Sequence, residues 1–440
     1  MDLIPRAVAA VTGGGADDYV PGHGDRSFDV LAYDIELDYR VDGNRLVGTA
    51  VLDVVGCEAV DRLELDLHGL QVDKVLVDGR RPGRFSHRGG RLRIRLAETA
   101  GAGDRMRVVV RYSGRPGPLG SAWGDVGWEE LTDGVLVAGQ PSGAPSWFPC
   151  NDRPDDKATY RFRVTTGSAY VVRCNGELVE QVRGASRTTW TFEQQQPMAT
   201  YLATVQVGRY CEHELTRSPV PQRVLAPREL AGPVRADLAR QEAMMEAFTR
   251  MFGPYPFGSY TVVVTDDDLE IPLEAQTLSV FGRNHLDGTG RMERLVAHEL
   301  AHQWFGNSVT VARWSDIWLH EGFACYAEWL WSEASGGEDA AAHARRHHER
   351  LSQAPQDLLL ADPGPDLMFD DRLYKRGALA LHAVRQHLGD EPFFDVLRDW
   401  VSQNRFGTVT TEDFEAHVAA HGAPADVLGP WLHRRDVPRP

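Results

Sequence analysis

His298-Glu299-Leu300-Ala301-His302 sets two imidazoles four residues apart with a carboxylate between them. On a helix, residues four apart share a face, so both rings point the same way and grip one metal ion. Glu299 lies one residue further round, close enough to act on a metal-bound water. Zinc in a hydrolase usually has three protein ligands and an open fourth position. The third is sought on a nearby element. Eighteen residues separate His302 from Glu321, a length that lets a helix–loop–helix fold back onto the same ion. Glu321 stands in Trp318-Leu319-His320-Glu321-Gly322-Phe323-Ala324 and is preferred to His320, Asp316 and Glu328. Asp316 and Glu328 are candidates for orienting the imidazoles from behind.

Around this motif the sequence reads as helix. The motif helix is expected to stop near Gly306-Asn307. The next is expected to start at an N-cap near Ser315 and to run past Trp331. Further helices are predicted at 338–351, 373–388, 392–404 and 411–420, and an earlier one at 236–251. Tyr326, Trp329 and Trp331 read as core, His347-His348 as an exposed helix face and Asp266-Asp267-Asp268 as a solvated loop.

Upstream the period changes to two. Tyr33, Ile35, Leu37, Tyr39 and Val41 alternate with polar residues, and Asp42-Gly43 turns the chain back into 46–55. Leu63, Leu65 and Leu67 alternate likewise, as do Leu92, Ile94 and Leu96, then Tyr160, Phe162 and Val164. The β-branched run 260–265 predicts one more strand, and 218–227, which contains prolines, reads as a linker. The fold class is therefore α+β and multidomain: a β-rich domain over 1–211, then a mainly helical domain over 212–440 that carries the metal site.

The bulk numbers narrow the partners. A length of 440 residues suits two or three domains. The net charge of −16 argues against nucleic acid or an anionic membrane as the main partner. Five scattered cysteines without a CxxC suit free thiols in a reducing compartment. Residues 1–15 lack the apolar core of a signal peptide, and no stretch is long enough to span a bilayer, so a cytoplasmic protein is expected.

HELAHQWFGN at 298–307 followed by WLHEGFA at 318–324 resembles the zinc aminopeptidases of the aminopeptidase N family, gluzincins with HExxH-x18-E. DYVPGHGDRSFD at 18–29 and WFPCNDRPDDK at 147–157 resemble that family's N-terminal domain. The resemblance implies a saddle-like β domain followed by a thermolysin-like catalytic domain. It also implies one Zn2+ per chain, held by His298, His302 and Glu321, with Glu299 as general base toward the zinc-bound water. Ile271-Pro272-Leu273-Glu274-Ala275 stands where the family has Gly-x-Met-Glu-Asn, so Glu274 is carried over as an anchor for the substrate amine. Gln140, ten residues before Cys150, is the second anchor, and Tyr374 in Tyr374-Lys375-Arg376-Gly377-Ala378 is the donor to the developing oxyanion.

The implied activity is removal of the first residue from a peptide or aminoacyl amide with a free N-terminus. The alternatives are zinc-dependent epoxide hydrolysis and a non-catalytic peptide-binding module of the same family. Two departures stand out. The family usually has Asn at the position of His320, and its long C-terminal helical domain, which covers the cavity, has no counterpart before Pro440.

Overall fold

The computed structural model describes residues 17–217 and 220–439. The reading of residues 1–15 lies outside them. The alternating stretches form strands whose apolar residues turn inward. Phe28–Arg40 buries Tyr33, Ile35, Leu37 and Tyr39 and pairs antiparallel with Arg45–Gly56. The connecting turn places Gly43 and Asn44 at positive φ, where Gly pays no Cβ penalty and Asn tolerates the conformation.

These two strands sit in a seven-stranded sheet. Its order is Glu177–Arg183, Arg187–Met198, Ala158–Gly167, Phe28–Arg40, Arg45–Gly56, Arg105–Gly114 and Gln71–Val77. A five-stranded and a three-stranded sheet complete the β-rich part. Trp128, Trp147, Phe148, Tyr160 and Phe162 are buried and in ring contact in its core.

The stretch read as a linker contains a strand instead. Gln222–Ala226 pairs with Cys211–Thr216 on one side and lies parallel to Tyr260–Val264 on the other. Prolines at 221 and 227 flank this strand without entering it. The sheet continues through Leu278–Phe281 to Leu273–Ala275, which is its edge and carries Glu274.

Nine α-helices follow among the described residues: α1 (Ala231–Asp237), α2 (Gln241–Phe252), α3 (Glu293–Ala301), α4 (Trp318–Ala334), α5 (Ala340–Gln353), α6 (Asp371–Leu388), α7 (Asp390–Gln403), α8 (Thr411–Ala420) and α9 (Ala425–His433). The single helix expected at 236–251 is two, divided by a turn at 238–240. The motif helix α3 ends at Ala301, short of Gly306, because tighter turns take over: Gln303 N–H and Trp304 N–H donate three residues back, to Leu300 O and Ala301 O. Ser315 is not an N-cap. It lies inside a 3-10 turn, Trp314–Asp316, and α4 begins at Trp318. His347 and His348 are half-buried, not an exposed face, with His347 stacked on Trp329 and His348 bonded to Pro438 O.

α4 is the axis of the helical part. Its first fourteen residues are all buried, the state of a helix that is apolar on every side. It crosses α6 at a glycine pair: a Cβ on Gly322 would lie 2.8 Å from Gly377 Cα, and one on Gly377 would lie 2.7 Å from Gly322 Cα. Only two glycines let the backbones approach so closely.

The β-rich part is fastened to the helical part by Lys157. Its Nζ donates to Asn307 O, Ser308 O, Thr310 Oγ1 and Gly407 O at 2.9–3.3 Å, and burial lowers its pKa. Tyr201 Oη adds a bond to Gly306 O. Lys157→Met keeps the length of the stem but leaves these oxygens without their donor. We expect a loss of about 1–3 kcal/mol, read as a lower denaturation midpoint in urea. An unchanged midpoint would show that the clamp contributes nothing.

Candidate metal centre

α3 and α4 bring three ligating side chains to one point. The ligand atoms of His298, His302 and Glu321 all lie within 4.8 Å of one another, and no other such group occurs among the described residues. Glu321 Oε2 is 3.4 Å from His298 Nε2 and 3.5 Å from His302 Nε2. The other nitrogen of each ring is held from behind. His298 Nδ1 is 2.8 Å from Glu328 Oε1, and His302 Nδ1 donates to Phe305 O at 3.0 Å. A ring that donates through Nδ1 keeps its Nε2 lone pair for a metal. Two imidazole nitrogens and a carboxylate suit zinc, so the residues present fit that ion.

The electrostatics agree. Burial lowers the His298 pKa, but the Glu321 and Glu328 carboxylates outweigh it and raise it to about 10. His302 is raised to about 9, where burial is again outweighed, chiefly by Glu321 and Glu274. Burial raises the Glu321 carboxyl, yet the two imidazoles hold it well below the usual carboxylate range. The pocket is built to attract positive charge.

The remaining predicted residues surround this point. A cavity of about 270 Å³ is lined by all seven side chains singled out in the sequence. Glu299 is buried, and its Oε2 has no hydrogen-bond partner within the protein. Burial, partly offset by His298 and His302, raises its pKa to about 7. The Tyr374 ring stacks on His298 at 6.0 Å and 19°. Burial and the nearby Glu321, Glu274 and Glu299 charges hold its phenol well above 10, so it stays protonated and donates. Glu274 is half-buried on its edge strand, and burial raises its pKa. Gln140 enters from the β-rich part and has a buried Nε2 without a protein partner.

His320 turns away from this point and accepts a bond from Val311 N–H through Nε2. Burial lowers its pKa to about 3, so it is a neutral acceptor. Of the two candidates for orienting the imidazoles, Glu328 reaches His298 while Asp316 does not. The Asp316 carboxylate is taken by Arg313 and by the N–H and hydroxyl of Thr411 at the start of α8. Asp267 accepts from Thr132, in keeping with a loop rather than a second metal site.

Sequence reading named Glu328 but missed the other supports. Arg294 donates to both oxygens of Glu328 at 3.0 Å, completing a chain from Arg294 through Glu328 to His298. Its signal was its place four residues before His298 on the same helix face. Gln303 and Asn307 both donate to Ala275 O at 3.0 Å and so tie the Glu274 strand to the turn after α3. Their signal was two buried amides in an apolar run.

Comparison with known proteins adds to this geometry. The model of the peptidase M1 N-terminal domain matches residues 30–202, and that of the peptidase family M1 domain matches residues 237–428. Aminopeptidase B of Mus musculus is 28% identical over 442 residues, which cover 88% of this chain and 65% of that protein. Aminopeptidase M1 of Arabidopsis thaliana is 25% identical, over 68% of this chain and 36% of its own. The chain thus spans less than two thirds of the length of these curated relatives. A crystal structure of the M1 zinc metallopeptidase from Deinococcus radiodurans superposes with a TM-score of 0.87 at 31% identity, over 96% of this chain and 98% of that one. A mutant of that enzyme is known bound to a Tyr-Ser-Ala substrate, with a TM-score of 0.88.

Proposed function

Because the chain belongs to peptidase family M1, we propose that it is a zinc aminopeptidase that removes the first residue from peptides or aminoacyl amides with a free N-terminus. The observation that carries this reading is one cavity holding both a metal-ligand triad and, beside it, the half-buried carboxylate of Glu274. A change of domain close to the proposed 211/212 division is supported by Cys211–Thr216, the first strand of the sheet that carries Glu274. One Zn2+ per chain is proposed, with His298, His302 and Glu321 as its ligands.

Bound zinc supplies a Lewis acid that polarises the scissile carbonyl and acidifies water. Glu299 acts as general base. Its buried carboxylate, with one oxygen free of protein partners, takes a proton from the attacking water and returns it to the leaving nitrogen. Tyr374 donates to the oxygen on which negative charge develops. Glu274 and the carbonyl of Gln140 accept from the substrate's α-ammonium, which fixes the cut after the first residue by position. Gln140 is a neutral acceptor and holds the amine more weakly than a second carboxylate would.

None of the findings favours the epoxide hydrolase reading, since the similar proteins are aminopeptidases and a metallopeptidase. A purely binding role leaves the unpaired Glu299 Oε2 without a use. Among the described residues no helix is long and apolar enough to cross a membrane. All five cysteines are unpaired, which supports the proposed cytoplasmic location.

A panel of aminoacyl-anilides, free and N-acetylated, tests the reading with and without a chelator. We expect free amines to be hydrolysed about a hundredfold faster or more, from the loss of a charge-assisted anchor and of positioning. Chelation should abolish turnover and added zinc should restore it. Equal rates on free and acetylated substrates would refute an exopeptidase.

A further inference from the structure

The reaction cavity adjoins a larger one of about 730 Å³ between α3, α4, α5 and α6. Arg294, Glu328, Asp371 and Lys375 line both, whereas Gln140 and Glu274 line the reaction cavity alone. The shared residues mark where the two cavities meet, and the amine anchors are not among them. α3 separates Arg294 from His298 by about 6 Å of helix axis.

The larger cavity is positive in a chain whose net charge is −16. Arg240, Arg294, Arg346, Arg350 and Lys375 line it against three carboxylates. Those carboxylates are already engaged. Glu328 binds Arg294 and His298, Glu293 binds Arg240 and Trp331, and Asp371 lies 3.6 Å from Lys375. Arg346 has one carboxylate partner, Glu338, which lies outside the lining, and it also bonds His343 Nδ1 through its other terminal nitrogen; Arg350 has no carboxylate partner among the described residues. His347, in the wall, reports the imbalance: burial first, then Lys375, Arg346 and Arg350, lower its pKa to about 4.

We propose that this cavity is a subsite for the C-terminal carboxylate of short peptide substrates, received by Arg346 and Arg350 on the leaving side of the scissile bond. The proposal rests on the aminopeptidase reading. A peptide held by its amine at Glu274 extends toward the junction, and the charge at its far end is a carboxylate. Each further extended residue carries that carboxylate about 3.3–3.6 Å farther from the amine. Planar guanidinium groups bind carboxylates through paired donors.

The test compares matched tetrapeptides with free and amidated C-termini, together with an aminoacyl-anilide that has no carboxylate. Both the wild-type protein and the double variant Arg346→Gln/Arg350→Gln are assayed. We expect the wild type to prefer the free acid by about tenfold in kcat/KM, mostly through KM, as one charge-assisted contact allows. The double variant should reduce the acid to the level of the amide and leave the anilide unchanged. Sodium sulfate should inhibit the acid peptide but not the anilide. Equal kcat/KM for acid and amide in the wild type overturns the subsite. So does a loss of equal size on the anilide, or activation of the anilide by sulfate, which would mark a site for a free inorganic anion. If the wild type does not turn over the anilide at all, the aminopeptidase reading falls, and this proposal with it.

Discussion

Glu299→Gln is expected to lower kcat by about a hundred- to ten-thousandfold while zinc stays bound, the range for removing a positioned general base. Glutamine has the same shape, so the buried residue is replaced without a cavity or a clash. The ligand triad is untouched, because His298, His302 and Glu321 converge on one another without Glu299. What is lost is the ability to take a proton. Glu299 Oε2 has no partner in the protein, so its carboxylate is not spent on the fold. The checks are kcat on a free aminoacyl-anilide and zinc content by atomic emission. A variant within tenfold of the wild-type kcat would remove Glu299 from the mechanism. A variant that had lost its zinc would show that the residue serves the metal rather than the proton.

Tyr374→Phe is expected to lower kcat by about a hundred- to a thousandfold with little change in KM, the cost of removing one donor to an oxyanion. The phenyl ring keeps its place over His298, since that contact is between ring faces. The charge that develops on the reacting oxygen exists only near the transition state, which is why the effect should fall on kcat. The phenol is held well above 10 by burial and by three carboxylates, so the deficit should be constant between about pH 6 and 9. A rise in KM with kcat unchanged would recast Tyr374 as a contact to bound substrate. A deficit that vanished at high pH would mean the phenol titrates.

The parts of this molecule that were legible in the sequence are those in which local pattern and burial coincide. Phe28–Arg40 alternates because one face packs and the other meets solvent. The convergence of His298, His302 and Glu321 was legible because spacing along helices is set by geometry and tolerates little drift. What escaped was decided by partners distant in sequence. α9 contains Gly429 and Pro430, which argue against a helix, yet it forms with Trp431 O bonded to Arg376 of α6. α3 stops early because polar side chains in the following turns are claimed elsewhere: Gln303 and Asn307 bond to Ala275 O, and His302 Nδ1 bonds to Phe305 O. Asp316 looked like a support for the metal ligands, but it meets the start of α8, 95 residues away. The basic cavity draws on four helices, α3, α4, α5 and α6, and no linear pattern announces it.

The glycine pair at Gly322 and Gly377 ties two jobs to one hinge pin. Gly322 follows Glu321 directly, and Gly377 is three residues beyond Tyr374, so backbone contact at the crossing sets how far the proposed metal ligand stands from the proposed oxyanion donor. Neither helix has a side chain at that point to give way, so the spacing is a property of two main chains. The chemistry is therefore insulated from most changes in the surrounding core. The cavity walls at Ile271, Gln140 and Arg350 lie away from that crossing, so under the proposed function substrate choice can be altered there without moving it.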